Sequence, residues 1–223
     1  AEKGQSLADD VARVAAARKA LPNARLKVDA NMGYTLAGAL EALRKLCEYG
    51  IIYAEQPVAT IEDMAALRFA IAKEGLPARI AADESIRKAE DPLKVARANA
   101  ADLMVIKAAP LGGVRRALAL VEQAQLPAVV SSALESSVGI ATGASLAASL
   151  PTLRYGCGLG TVSLMAEDVT DEPLIARDGF MDLRAITPSP QRLARLATDE
   201  QTRQWWVDRV TACYRVLERT ADL

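Results

Sequence analysis

Short apolar runs separated by longer stretches of helical periodicity constrain this chain more than any other feature. The runs are "RLKVDA" (25–30), "IIYAE" (51–55), "ARIAAD" (78–83), "DLMVIK" (102–107), "PAVVSS" (127–132) and, more weakly, "LRYGCG" (153–158). Helical patterns cover 6–19, 35–48, 61–74, 91–99, 112–124 and 136–149, with Asp91-Pro92 and Gly112-Gly113 as start signals. Strand, helix, strand with short links implies parallel strands, because a parallel pair needs a crossover and a helix supplies it. The chain is 51% apolar but only 4% aromatic, so its core must be Ala, Leu and Val. That composition suits helices lying closely on a parallel sheet. The fold class is α/β.

Such a sheet is either doubly wound or closed into a (β/α) barrel. No strand is followed by GxGxxG, the fingerprint of the dinucleotide fold. Barrel enzymes carry their chemistry at the carboxyl ends of several different strands. Here the runs end on Asp29, Glu55, Asp83, Lys107 and Ser131-Ser132. The barrel is the better reading.

Burying a carboxylate without compensation costs at least roughly 2–7 kcal/mol, so three such endings ask for a shared compensator. Side chains alternate along a strand, which puts Lys27 with Asp29 and groups Ile51, Tyr53 and Glu55. If those faces point inward, three carboxylates meet near the axis with Lys107 opposite. Oxygen ligands with no His or Cys suit a hard dication, Mg²⁺ first and Mn²⁺ as the alternative. Taken singly, each acid reads more readily as a helix cap or a surface ion pair than as a ligand; three in register with Lys107 on the next strand are what favour the metal. Asn31 and Glu84 are secondary candidates, and Lys27 either touches substrate or pairs with Asp29.

The chain has no histidine, which removes Ser-His-Asp and Cys-His catalysis and His-ligated zinc. A net charge of −1 with no basic run argues against nucleic acid as a partner. The three cysteines are scattered and form no metal pattern. The most apolar long segment, 127–151, is interrupted by Glu135 and several serines, so no membrane span is expected. A cytoplasmic protein acting on a small carboxylate is the expectation, with no signal of oligomeric state.

A complete barrel of this type has eight strands, and six are visible. At least two strands are therefore expected upstream of Ala1. The reading assigns 1–162 to barrel strands 3 to 8 and 163–223 to a C-terminal segment. Within the latter, strands are expected around Asp178-Gly179 and an amphipathic helix at 198–220, whose Trp205 and Trp206 would pack on a neighbouring domain.

The runs "VDAN", "AEQP" and "ADES", then Lys107 before "APLGG", then "SSALESSVG" and "CGLGT", resemble the enolase superfamily in its muconate-lactonizing subgroup. The wording is most similar to the branch that forms o-succinylbenzoate in menaquinone biosynthesis, and the resemblance covers about residues 1–185. It implies that Asp29, Glu55 and Asp83 bind Mg²⁺, that Lys107 is catalytic, and that Asn31, Ser131, Ser132 and Gly158 line the substrate. It implies a syn dehydration of 2-succinyl-6-hydroxy-2,4-cyclohexadiene-1-carboxylate through an enediolate. It also implies a second lysine, in a Lys-x-Lys motif expected just before Ala1, and an N-terminal capping domain; Lys3 does not match that motif. The backbone N–H groups at the helix start in "SSALESS" suit the succinyl carboxylate. Rival readings are an N-acylamino-acid or dipeptide racemase or epimerase, a muconate cycloisomerase, a Schiff-base aldolase using Lys107, and a non-catalytic binding fragment.

Overall fold

Local capping sets the helices. Ser6 accepts from the Asp9 N–H at the start of α1 (Leu7–Ala20), Thr35 from Gly38 at α2 (Leu36–Leu46), and Thr60 from Asp63 at α3 (Ile61–Glu74). Each side-chain oxygen satisfies a donor that the helix itself cannot. At its other end α3 stops on Gly75, which takes the left-handed conformation (φ +64°) that an L side chain resists. These elements belong to a computed structural model that describes residues 6–87 and 91–221; Lys3 lies outside the described residues.

The strands are β1 (Val28–Asp29), β2 (Ala54–Glu55), β3 (Ile80–Ala82), β4 (Leu103–Ile106) and β5 (Ala128–Val130). They form one parallel sheet in chain order, with α4 (Asp91–Arg97), α5 (Val114–Ala124) and α6 (Ser137–Ser149) completing the crossovers. The regular ladders are shorter than the runs of 5–6 residues read from sequence. The run at 153–158 reaches the sheet only through a parallel bridge between Ser131 and Gly158.

The two faces of the sheet have different fates. Val28, Ala54, Ile80, Met104, Ile106, Ala128 and Val130 pack against the helices. Tyr53, Ala81, Leu103, Val105, Val129 and Tyr155 form a second cluster on the opposite face. The Tyr53 and Tyr155 rings meet edge to face with centroids 5.5 Å apart, although Tyr53 precedes β2 and Tyr155 lies beyond β5. Arg79 reaches the Tyr155 hydroxyl at 2.6 Å, and Arg25, ahead of β1, donates to the Arg154 carbonyl at 3.1 Å. A flat sheet could not make these contacts. The sheet curls, and the inner cluster is the interior of the curl. Ile51 departs from the expected parity: it joins the helix-side cluster, while Ile52 touches the inner one, because regular pairing in β2 begins only at Ala54.

Past residue 159 the pattern changes. The expected strands near 178 reduce to a single antiparallel bridge, Arg177 to Phe180, around a turn with positive φ at Asp178 and Gly179. A helix not read from the sequence, α7 (Pro190–Arg195), follows Ser189, with proline in its first turn. The amphipathic helix is present as α8 (Glu200–Ala221), and its described side chains are exposed. Trp205 and Trp206 touch each other, and neither is buried. Among the described residues no helix is long and apolar enough to cross a membrane.

One buried carboxylate ties this segment to the sheet domain. Asp168, 5% exposed, accepts from the Ser137 N–H at 3.2 Å and from the Ser137 hydroxyl, and Ser137 Oγ in turn accepts from Leu174 N–H at 2.7 Å. It caps α6 from a distance in sequence. Asp168→Ala strips the cap and leaves buried donors unpaired, and is expected to lower unfolding free energy by about 2 kcal/mol in urea titration.

Candidate active site

The ladder sets the positions of the acids. Asp29 and Glu55 are register partners on adjoining strands, and Asp83 stands two residues past Ala81, the β3 partner of Glu55. Neighbouring parallel strands lie about 4.8 Å apart, so three carboxylates share one rim of the curled sheet. Glu55 is 8% exposed and its pKa is pushed up to about 7. Burial is the main cause, repulsion from Asp29 and Asp83 adds to it, and Lys27 and Lys107 oppose it. Three acids and two lysines therefore share one electrostatic neighbourhood.

The side chains within it are paired among themselves. Lys107 Nζ donates to both oxygens of Asp83, at 2.6 Å to Oδ1. Arg87 approaches Asp83 at 3.7 Å and Glu84 at 3.0 Å. Asp29 accepts from the Asn31 N–H and from its amide Nδ2, both at 3.0 Å, and Nδ2 lies 3.5 Å from Glu84. Glu84 Oε2 is buried and has no hydrogen-bond partner among the described residues. Lys27 stands over the Tyr53 ring, 5.5 Å from its centroid.

Among the described residues no group of three or more His, Cys, Asp or Glu is gathered closely enough to hold a metal ion. The physical reason is visible: Asp83 is drawn onto Lys107 and Asp29 onto Asn31, each neutralising or satisfying an anion locally. In kind, and in their common place along one rim, the residues suit a hard dication. All donors are carboxylate oxygens, Glu55 is destabilised by its anionic neighbours, and Glu84 contributes a buried oxygen with no partner among the described residues.

Ser131, Ser132 and Gly158 are brought together at the far side of the rim. Gly158 N–H donates to Val130 O at 2.8 Å, Ser132 N–H to Gly158 O at 3.0 Å, and Ser132 shares a hydrogen bond with Thr161 at 2.8 Å. A Cβ on Gly158 would lie 2.7 Å from Ser131 Oγ, so any side chain there would require that hydroxyl to swing aside. The helix start that follows is less open to an anion than the sequence implied. Asp168 already takes the Ser137 N–H, and Glu135 takes that of Ala133 at 2.6 Å. Sequence reasoning passed over Gln56 and Ser85, which tie the β2 and β3 ends together. Their signal was slight: one amide next to Glu55 in "AEQPV".

A parallel sheet curled over an inner cluster, with acids and a lysine at the carboxyl ends of successive strands, is the barrel architecture of one large enzyme class. The family model described as Enolase C-terminal domain-like matches residues 2–188, and the chain belongs to that family. Enzymes of this superfamily generally use a divalent metal. Among curated relatives, the o-succinylbenzoate synthase of Mycolicibacterium smegmatis is 55% identical over 97% of this chain and 65% of its own length. That of Mycobacterium leprae is 50% identical over 97% of this chain and 63% of its own. The chain thus spans just under two thirds of the curated relatives it matches. Among solved structures, the muconate lactonizing enzyme of Pseudomonas putida superposes with a TM-score of 0.78 at 28% identity, covering 88% of this chain and 57% of that one.

Proposed function

We infer that the protein is an o-succinylbenzoate synthase, dehydrating 2-succinyl-6-hydroxy-2,4-cyclohexadiene-1-carboxylate to 2-succinylbenzoate in menaquinone biosynthesis. The observation that carries this reading is the 55% identity with a relative of that name along 97% of the chain, far above the 28% shared with the muconate enzyme. Asp29, Glu55 and Asp83 would hold Mg²⁺, or Mn²⁺ in its place. When bound, the ion supplies positive charge against the substrate carboxylate, where negative charge accumulates as the α-proton leaves.

The proton acceptor would be the second lysine that the resemblance implies, and further roles fall to side chains of this chain. Lys107, released from Asp83, presents its ammonium to the developing anion from one side of the ring. Asn31 orients the Asp29 carboxylate and, at φ +42°, faces its amide toward the rim from a left-handed turn. Ser131, Ser132 and Gly158 would line the side where the succinyl group lies, and Lys27, over the Tyr53 ring, would be a further substrate contact. Residues 1–162 are assigned to the barrel, and 163–223 to a C-terminal segment that would return to pack on the capping domain, with α8 as its contact helix. The protein acts in the cytoplasm on this reading.

Muconate cycloisomerisation is the second reading, because the solved neighbours carry that name at closely similar folds. Purified intact protein should turn over the cyclohexadiene substrate, followed by its ultraviolet absorbance, with a kcat/KM above that for cis,cis-muconate or for racemisation of N-succinyl amino acids. A larger kcat/KM for either of those substrates would replace the assignment.

A further inference from the structure

The sheet ladder breaks at Gln56 in an unusual way. Its N–H still donates to Ala81 O at 2.8 Å, as a parallel strand requires. In a continued ladder its carbonyl would next accept from Asp83. Instead that carbonyl accepts from Met32 N–H at 2.7 Å, beyond the end of β1. Gln56 takes a left-handed φ of +34°, uncommon for a residue with a side chain.

The side chain replaces what the backbone gave up. Gln56 is 0% exposed, and its Oε1 accepts from Asp83 N–H at 3.0 Å and from Ser85 N–H at 3.2 Å. Its Nε2 donates to Val58 O at 2.9 Å and to Ser85 Oγ at 2.8 Å, and lies 3.0 Å from Met64 Sδ. One buried amide therefore satisfies two backbone donors, a backbone acceptor and a hydroxyl. Through its own carbonyl the same residue fixes the turn after Asp29. It touches the tips of all three strands that carry the acids.

We propose that Gln56 is a positioning residue that holds the backbones of Asp83 and of the Asp29–Met32 turn at a fixed separation from Glu55, so that the three carboxylates can serve one dication. This rests on the metal-site reading of Asp29, Glu55 and Asp83. The length of the side chain is decisive. Asparagine would fall short of the Asp83 and Ser85 amides, glutamate would lose the two Nε2 donations and add a second carboxylate beside Glu55, and methionine keeps the shape but none of the hydrogen bonds.

The test compares Gln56→Met with wild type in the intact protein by two readouts. Without metal, amide hydrogen exchange at Asp83 and Ser85 should quicken by about tenfold or more, while Met104, Val105 and Ile106 in β4 keep wild-type protection. The Mn²⁺ dissociation constant, read from the free-ion electron paramagnetic resonance signal, should rise by about 10–100-fold, the cost typical of lost partners around metal ligands. Unchanged exchange at Asp83 and Ser85 would overturn the clamp. Faster exchange with wild-type Mn²⁺ affinity would overturn its link to the acids and leave a merely structural amide. Should Gln56→Met fail to fold, Ser85→Ala carries the test, since it removes one Nε2 acceptor and should move both readouts in the same direction; wild-type values for both would again overturn the proposal. A wild-type protein that binds no Mn²⁺ would strike at the reading of the site itself, and exchange, which needs no metal, would still decide the clamp.

Discussion

Lys107→Met is expected to lower kcat for the dehydration by about 10³-fold, with KM changed only a few-fold. On the proposed mechanism the ammonium would oppose charge that exists in the transition state and not in the bound substrate, so its loss would fall on kcat. The same substitution has a second effect that a purely catalytic residue would lack. Asp83, whose side chain is 6% exposed, loses the partner that neutralises it. Removing one member of a buried pair costs about 3–5 kcal/mol, and Arg87 at 3.7 Å offsets part of this. Thermal melts should show a destabilised metal-free variant that Mg²⁺ restores more strongly than it stabilises wild type. A variant with wild-type kcat, or one that Mg²⁺ leaves as unstable as before, would remove Lys107 from the site.

Stripping the metal with EDTA is expected to abolish turnover and to expose a pH dependence of stability. Glu55 has a folded-state pKa raised from 4.5 to about 7, so the native state binds its proton more tightly than the unfolded chain does. Its contribution to metal-free stability is therefore present in full below the unfolded value and is lost as pH climbs through 7, a change of about 3 kcal/mol. A dication reverses the preference by favouring the ionised carboxyl, so metal binding should release protons and strengthen from pH 5 to 8. Urea titrations at both ends of that range, with and without Mg²⁺, measure the effect. Glu55→Gln should flatten the metal-free curve; an unaltered slope would mean that another group governs it.

Much of the architecture was legible because helix signals are local. Thr60 and Gly75 bracket α3 over the residues read from sequence, and the strand tips Asp29, Glu55, Asp83 and Lys107 do lie along one rim. Strand lengths were not legible, since pairing depends on neighbours: β1 ends after two residues, where the chain turns left-handed at Asn31 and Met32. The helix α7 was passed over although Ser189-Pro190 is a fair start signal, because the whole helix is only six residues long. The inner pairing of Lys107 with Asp83 and of Asn31 with Asp29 could not be read from spacing, which places charges on a common rim but does not say which carboxylate a lysine will choose. Gln56 was invisible for a related reason. A buried amide is informative only once its partners, 27 and 29 residues away, are known.

Both tryptophans of this sequence stand side by side on α8, 54% and 53% exposed, their rings edge to face at 4.8 Å. Indole emission from this chain therefore reports whatever surrounds that one helix and is nearly blind to the sheet. Fluorescence titrations will follow the docking or release of α8, whereas loss of the barrel is better followed by circular dichroism or by the Tyr53–Tyr155 pair inside it.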